Sequence, residues 1–266
     1  MIKEKKLLAF NYFGGKYNFI NELYSHFPEH TSFVDLMCGS MVVTLNKKPS
    51  KLDTANDVSG DVMNFFKVLR DKPEELFYAL KMTPVHREEY KKCYPINDNS
   101  NDVEIARRFF VRCRMSFQGS GLKEHTGFNA CITSSYGGVS QNVAKFTNAI
   151  DKLPEIVERL RKIQFESLDY SKVLEKYDTE ETFFYVDPPY ELRERNYKKM
   201  YTHEFTDENH YDLSQKLNSI KGKAMVSMYE SKLYSELYKD WRMVRLKPIG
   251  HSMKKEKQLE IIWMNY

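Results

Sequence analysis

Four consecutive residues, Asp187-Pro188-Pro189-Tyr190, follow directly on the apolar run Phe183-Phe184-Tyr185-Val186 and carry the strongest chemical signal in the chain. A strand ending in an acid, two prolines and an aromatic makes a stiff loop at the carboxyl edge of a sheet, where open α/β sheets bind ligands. The prolines fix the backbone and have no N–H, which leaves carbonyls free to accept. Asp187 places a carboxylate acceptor beside them. A planar amino group has two N–H bonds to satisfy, and Tyr190 offers a ring to stack on a planar base. The set therefore suits an exocyclic amine of a nucleobase. Asp-Pro turns that merely close a strand are common, but this run of four after an apolar strand is not.

Two further segments have the residue types of a nucleotide-like site. Asn11-Tyr12-Phe13-Gly14-Gly15-Lys16 stands just before a helical pattern. Glycines and a lysine at a helix N-terminus can receive an anion such as a carboxylate. Phe33-Val34-Asp35-Leu36-Met37-Cys38-Gly39-Ser40 reads as a first strand and its loop, with Asn56-Asp57 closing the next strand. An acid at the end of the second strand takes ribose hydroxyls in such folds. Taken alone, the first segment reads as an ordinary turn, and the second fits a ligand-free strand–loop–helix equally well.

The elements that must position these residues are read from periodicity. Short β-rich runs alternate with helical patterns, the signature of a mainly parallel sheet wrapped by helices. Strands are expected at Ser32–Cys38, Leu52–Asp57, Gln164–Leu168, Thr182–Asp187, Lys223–Met228, Arg242–Lys247 and Glu260–Asn265. Ile20, Leu23, Tyr24 and Phe27 share one helical face, as do Val62, Phe65, Phe66 and Leu69 after Ser59, a candidate N-cap. Leu213, Leu217 and Ile220 follow Thr206-Asp207-Glu208, a hydroxyl and two acids suited to a helix start. Residues 72–162 interrupt the alternation: helical at the ends, with a long loop from Ser116 to Asn142 rich in Gly, Ser and Asn. Residues 1–71 and 163–266 are therefore expected to form the sheet domain, and 72–162 an insert.

Composition sets limits on partners. The formal net charge of +4 permits a nucleic-acid partner without requiring one, so distribution matters more. Arg107, Arg108, Arg112 and Arg114 fall within one predicted helix, where they suit contacts to phosphates or guanine edges, or form a solvated face. Arg193, Arg195, Lys198, Lys199 and His203 follow the Asp187 loop and read as a mobile basic segment or a solvated loop. The four cysteines contain no C-x-x-C pair, so neither a zinc site nor a disulfide framework is expected, and no metal is assigned. The amino-terminal apolar run is too short for a signal peptide, and no segment is long enough to span a bilayer. A soluble, cytoplasmic protein without a membrane partner is expected.

Together these segments resemble the Dam-type adenine-specific DNA methyltransferases. The resemblance runs over Phe13-Gly14-Gly15-Lys16, Phe33 to Val43, Asn56 to Arg70, Phe184 to Tyr190, and the tail from Lys221-Gly222-Lys223 through Trp263-Met264-Asn265-Tyr266. Cofactor half, insert and catalytic loop come in the family's α-type order. It implies an α/β, Rossmann-like S-adenosylmethionine-dependent methyltransferase sheet with a mostly helical target-recognition insert. It also implies S-adenosyl-L-methionine as cofactor, double-stranded DNA as partner and N6 of a flipped adenine as target. Tyr12, Gly15 and Lys16 match cofactor residues at the amino end, with Asp35 and Gly39 in the cofactor loop. Asp57 matches the acid on the cofactor ribose, and Asp169 an acid near the cofactor adenine. Asp187, Pro188, Pro189 and Tyr190 match the catalytic loop, Asp187 also lying against the cofactor. With Arg107, Arg108, Arg112 and Arg114, Ser116 and Tyr136 of the insert are carried as DNA-binding residues. Met41 departs from the pattern, standing where a second glycine is common.

The target base follows from two observations. Attack at C5 of cytosine needs a nucleophile, usually a cysteine after a proline, and no Cys follows a Pro in this chain. Between the two amino targets, an acid at the first position of the loop is typical of the family's adenine enzymes, and serine of cytosine-N4 enzymes. Two alternatives stay open: an RNA or protein N-methyltransferase using the same loop, or a catalytically weak DNA-binding relative. A monomer or weak dimer is expected, and a restriction partner is not indicated.

Overall fold

The computed structural model describes residues 6–12, 14–94, 100–117, 127–191, 204–246 and 260–266. These fall into two compact units: 16–58 with 163–191, 204–246 and 260–266, and 6–15 with 59–162.

The first unit is built on seven strands: β1 (Ser32–Asp35), β2 (Leu52–Asn56), β5 (Gln164–Glu166), β6 (Thr182–Val186), β7 (Lys223–Tyr229), β8 (Arg242–Arg245) and β9 (Glu260–Met264). They form one sheet in the order β5-β2-β1-β6-β7-β9-β8. All the neighbours from β5 to β7 run parallel. β9 is antiparallel to both β7 and β8. Every residue of β6 is buried, which is why that run is apolar without alternation: a central parallel strand is covered on both faces. At the edges, β5 and β8 have no fully buried residue. The sheet is the mixed, mostly parallel α/β sheet that the alternating pattern predicts.

Strand order reverses between β1 and β6. From β1 the chain crosses to β2 on one side, and from β6 to β7 on the other. The crevice at their carboxyl ends is the topological switch point, where sheets of this kind hold ligands. Helices α1 (Ile20–Tyr24), α2 (Val42–Asn46), α9 (Tyr170–Tyr177), α10 (Asp207–Leu217) and α11 (Lys232–Leu237) belong to the same unit. Its core joins Val34, Phe184, Val186, Leu213, Leu217, Val226 and Trp263. The start of α10 is a capping box in which Thr206 and Asn209 bond reciprocally, realising the expected helix start. Ser59, expected as a cap, stands at the N-cap of the next unit's first helix but makes no capping bond.

The second unit holds α3 (Gly60–Asp71), α4 (Pro73–Lys81), α5 (Arg87–Lys92), α6 (Asp102–Met115), α7 (Gln141–Asp151) and α8 (Leu153–Leu160). Phe10 packs against Phe65 and Phe66 of α3 and Phe109 of α6, with Phe65 also on Phe110. These contacts group the amino-terminal arm and α3 with residues 72–162. The division runs at 15/16, 58/59 and 162/163, where sequence periodicity predicts 71/72 and 162/163. Within the loop expected from Ser116 to Asn142 lies a short antiparallel hairpin, β3 (Ser135–Tyr136) and β4 (Val139–Ser140). Its turn residues Gly137 and Gly138 have φ of 59° and 81°, the positive values a two-residue hairpin turn requires. The loop closes at Ser140, whose hydroxyl caps α7. Among the described residues no helix is long and apolar enough to cross a membrane.

Candidate active site

The carboxyl edge of the sheet gathers most of the expected residues. Asp35 ends β1, Asn56 ends β2 with Asp57 next to it, Asp169 follows β5, and Asp187 follows β6. Lys16 precedes α1 and reaches the same edge. Glu260 begins β9; because β9 is antiparallel, its first residue pairs with Tyr229, the last of β7. An antiparallel strand thus brings its amino end to the edge where the parallel strands finish.

The loops at this edge are tied to one another. The Gly39 N–H donates to Asp57 Oδ2 at 2.9 Å, and the Cys38 N–H to the Asn56 carbonyl at 2.8 Å. The Asn56 amide donates to the Leu36 and Leu168 carbonyls, while its oxygen accepts from the Leu168 N–H. Asn56 therefore fastens the loops after β1, β2 and β5 together, a role not read from the sequence. Asp169 is exposed and caps α9, accepting from the Ser171 N–H at 2.9 Å. Met41 has φ 55° and ψ 19° and is fully buried. This is the left-handed region, which glycine adopts without the cost a Cβ brings.

Asp35 is buried and accepts from the Thr44 hydroxyl at 2.5 Å. Burial pushes its carboxyl up to about 7, with Asp187 and Asp57 adding to the rise and Thr44 opposing it. Burial likewise pushes Asp187 up to about 6, against the pull of Lys16 and with a push from Glu260. Its side chain keeps 19% of its surface open, enough to be reached.

Lys16 is 1% exposed and donates to both Asp187 oxygens, at 2.6 and 2.7 Å, and to the Tyr190 hydroxyl. Burial opposes its charge, yet Asp187 and Glu260 together hold the ammonium above the usual lysine range. Tyr190 in turn donates to Glu260 at 2.8 and 3.0 Å, and Ser227 Oγ donates to Glu260 at 2.7 Å. The Tyr190 ring is 1% exposed and meets Tyr229 edge-on at 4.4 Å. Lys16 is thus engaged by Asp187 and Tyr190, and Tyr190 is drawn inward by its hydroxyl. Pro188 is buried and Pro189 half-buried. Glu260 was not among the expected residues; an acid directly before the apolar run Ile261-Ile262-Trp263-Met264 is the signal that points to it.

Tyr12 and Gly15 lie in the helical unit, where the Gly15 N–H donates to the Tyr12 carbonyl at 3.2 Å and the Tyr12 ring is 6.0 Å from Phe10. The arginines of α6 divide. Arg112 is 1% exposed and paired with Asp61 at 2.6 Å. Arg114 donates to the Leu8 and Ala9 carbonyls, and burial pushes it down to about 10. These two guanidinium groups are engaged inside the unit, because α6 is central to it and its inward face carries them alongside Phe109 and Phe110. Arg107 pairs with Glu104 and Glu89, and Arg108 with Glu104. Ser116 is 1% exposed and bridges Phe128 through its backbone. Tyr136, on the hairpin, is 70% exposed. Phe13, Arg193, Arg195, Lys198, Lys199 and His203 lie outside the described residues.

The sequence model of the D12 class N6 adenine-specific DNA methyltransferases matches residues 12–256. The chain is 24% identical over 200 residues to the modification methylase StsI of Streptococcus sanguinis, a match covering 70% of this chain and 29% of that protein. It is 23% identical over 193 residues to the DNA adenine methylases of two Vibrio cholerae serotype O1 strains, covering 70% of this chain and 66% of theirs. The chain thus spans less than two thirds of the length of these relatives.

Proposed function

The chain belongs to the D12 class N6 adenine-specific DNA methyltransferases, and from that premise we propose that it transfers a methyl group from S-adenosyl-L-methionine to N6 of a flipped adenine in double-stranded DNA. The observation that carries the reading is Asp187: a carboxylate at the switch-point edge, reachable from outside and held by Lys16 in a fixed orientation.

The donor set of the edge fits this cofactor. Asp57 suits the ribose hydroxyls, and Gly39, whose N–H is held by Asp57, keeps the loop short of side chain beside it. Carboxylates at Asp35 and Asp187 suit a cationic sulfonium, which supplies the electrophilic methyl group when bound. Asp169 is the acid assigned to the adenine end.

On the acceptor side, an adenine inside a duplex must leave the stack to be reached. Asp187 and the Pro188 carbonyl accept from its amino group and concentrate electron density on nitrogen. Alignment of nitrogen with the methyl group then supplies much of the rate. Tyr190 acts in this state through its hydroxyl, by fixing Lys16; stacking on the base requires that hydroxyl to leave Lys16 and Glu260. Recognition of DNA is assigned to residues 72–162, with Tyr136 on its exposed hairpin and the half-buried Arg107 and Arg108 of α6.

The test is incubation with labelled S-adenosylmethionine and DNA, RNA or protein, followed by mass spectrometry of the nucleosides. N6-methyladenine from DNA is expected, and its loss in Asp187→Ala with folding retained. N4-methylcytosine would overturn the base, and product only from RNA or protein would overturn the substrate class.

A further inference from the structure

Glu260 lies beyond residue 256, where the family match ends, yet it is the buried carboxylate on which the Asp187 loop converges. Three groups meet it: the Tyr190 hydroxyl at 2.8 Å, the Ser227 hydroxyl at 2.7 Å and the Lys16 ammonium at 3.4 Å. Building on the methyl-transfer reading, we propose that Glu260 is a positioning residue for that reaction, taking the Tyr190 hydroxyl proton in a hydrogen bond and sharing the Lys16 charge so that Asp187 remains a strong acceptor.

The direction of the hydrogen bonds carries the argument. Tyr190 has one hydroxyl proton, and a carboxylate can only accept. With that proton directed at Glu260, the oxygen of Tyr190 presents a lone pair to Lys16, which donates to it. Lys16 also donates to both Asp187 oxygens. The result is one donor sense, Lys16 to Tyr190 to Glu260, which fixes the ammonium against Asp187, although the Tyr190 hydroxyl also faces Asp187 and favours its charged form.

Charge gives the second half. A lone buried lysine beside Asp187 would neutralise it and weaken it as an acceptor for an amino group. Glu260 is a second carboxylate on the same ammonium, and it raises the basicity of Asp187. The other groups facing Asp187 are Asp35 and the Tyr185, Tyr190, Tyr229 and Tyr234 hydroxyls. The Tyr190 proton is already placed, and Tyr185, Tyr229 and Tyr234 are neutral near pH 7 because burial raises each of them. Asp35 acts with the same sign as Glu260. Among these charges, Glu260 is the one that also touches Lys16.

Glu260→Gln keeps the size and removes the charge. Single-turnover methyl transfer is measured against pH at saturating methyl donor. The acid limb, set by Asp187, should move down by about one pH unit, as expected for loss of a nearby like charge. The rate at neutral pH should fall about tenfold, with methyl-donor affinity changed less than about twofold. Glu260→Asp keeps the charge but withdraws it by one methylene, so the rate should fall with the limb unmoved. An unmoved limb in Glu260→Gln, or an unchanged rate in either variant, overturns the proposal. If Glu260→Gln does not fold, Glu260→Asp decides alone, because an undiminished rate there would mean that the hydroxyl contact does nothing. A wild-type protein inactive on every DNA would instead overturn the methyl-transfer reading, a result distinguishable from all of these.

Discussion

Asp35 is pushed up to about 7 by its burial, far from the 3.8 of an ordinary aspartate. Well below pH 3.8 the carboxyl is protonated folded and unfolded, and its burial carries no ionisation penalty. Between there and pH 7 the unfolded chain ionises first, so stability falls as pH rises, and it levels off above. Asp35→Asn keeps an acceptor for Thr44 and removes the charge. Its thermal midpoint should exceed that of the wild type by a margin that grows from pH 5 to pH 8. Each tenfold change in proton affinity is worth about 1.4 kcal/mol, so the gain is a few kcal/mol at most. An equal margin at both pH values would mean that Asp35 is ionised in the folded protein throughout. Asp187 obeys the same physics with a functional readout: pushed up to about 6, it becomes protonated as pH falls through that value and can no longer accept. Methyl transfer should therefore decline below about pH 6, and an activity flat to pH 5 would remove Asp187 as the acceptor.

Met41 sets the balance between backbone and side chain in the loop between β1 and α2. Its left-handed conformation costs roughly 1–2 kcal/mol for a residue with a Cβ. Its side chain is fully buried, and emptying such a site costs about 2–5 kcal/mol. Met41→Gly should therefore lower stability despite relieving the backbone, and a higher unfolding midpoint would show that the side chain contributes little. In α6 the energetic question concerns charge. Arg112→Ala removes the buried partner of Asp61 and should destabilise the fold, by less than breaking a fully buried pair because the Asp61 side chain is 30% exposed. Arg108→Ala removes a half-buried charge and should leave the fold intact while flattening the salt dependence of DNA binding by a slope of about 1. Loss of the salt slope in a stably folded Arg112→Ala would reverse these assignments. The helical period identifies α6 but cannot tell an arginine paired in the interior from one facing solvent, because both fit an amphipathic pattern. Strand β6 was legible for the opposite reason, since a central parallel strand buried on both faces reads as a continuous apolar run such as Phe183-Phe184-Tyr185-Val186. Gly137-Gly138 was the overlooked sign of the hairpin, and Glu260 escaped because its place depends on an antiparallel pairing far away in sequence.

At the scale of the whole chain, the net charge of +4 says little about where a partner binds, whereas ligand linkage reports on the site as a unit. A methyl donor that binds only the folded protein stabilises it by about 2.7 kcal/mol at one hundred times its Kd. For a chain of 266 residues, a shift of roughly 2–4 °C per kcal/mol gives a rise of about 5–10 °C. Asp57 holds the Gly39 N–H, and the proposed function also gives it the ribose hydroxyls of the bound donor. Asp57→Ala should lower the unfolding midpoint by loosening the loop. It should separately weaken methyl-donor binding by about 1.5–3 kcal/mol, the worth of a hydrogen bond to a charged group. The two effects separate by titration: the first is present without ligand, and the second appears as a displaced dependence of the midpoint on donor concentration. DNA affinity measured without donor should change less. A midpoint that rises with donor in the wild type and equally in Asp57→Ala would confine Asp57 to the loop and move ribose recognition elsewhere along the β2 edge.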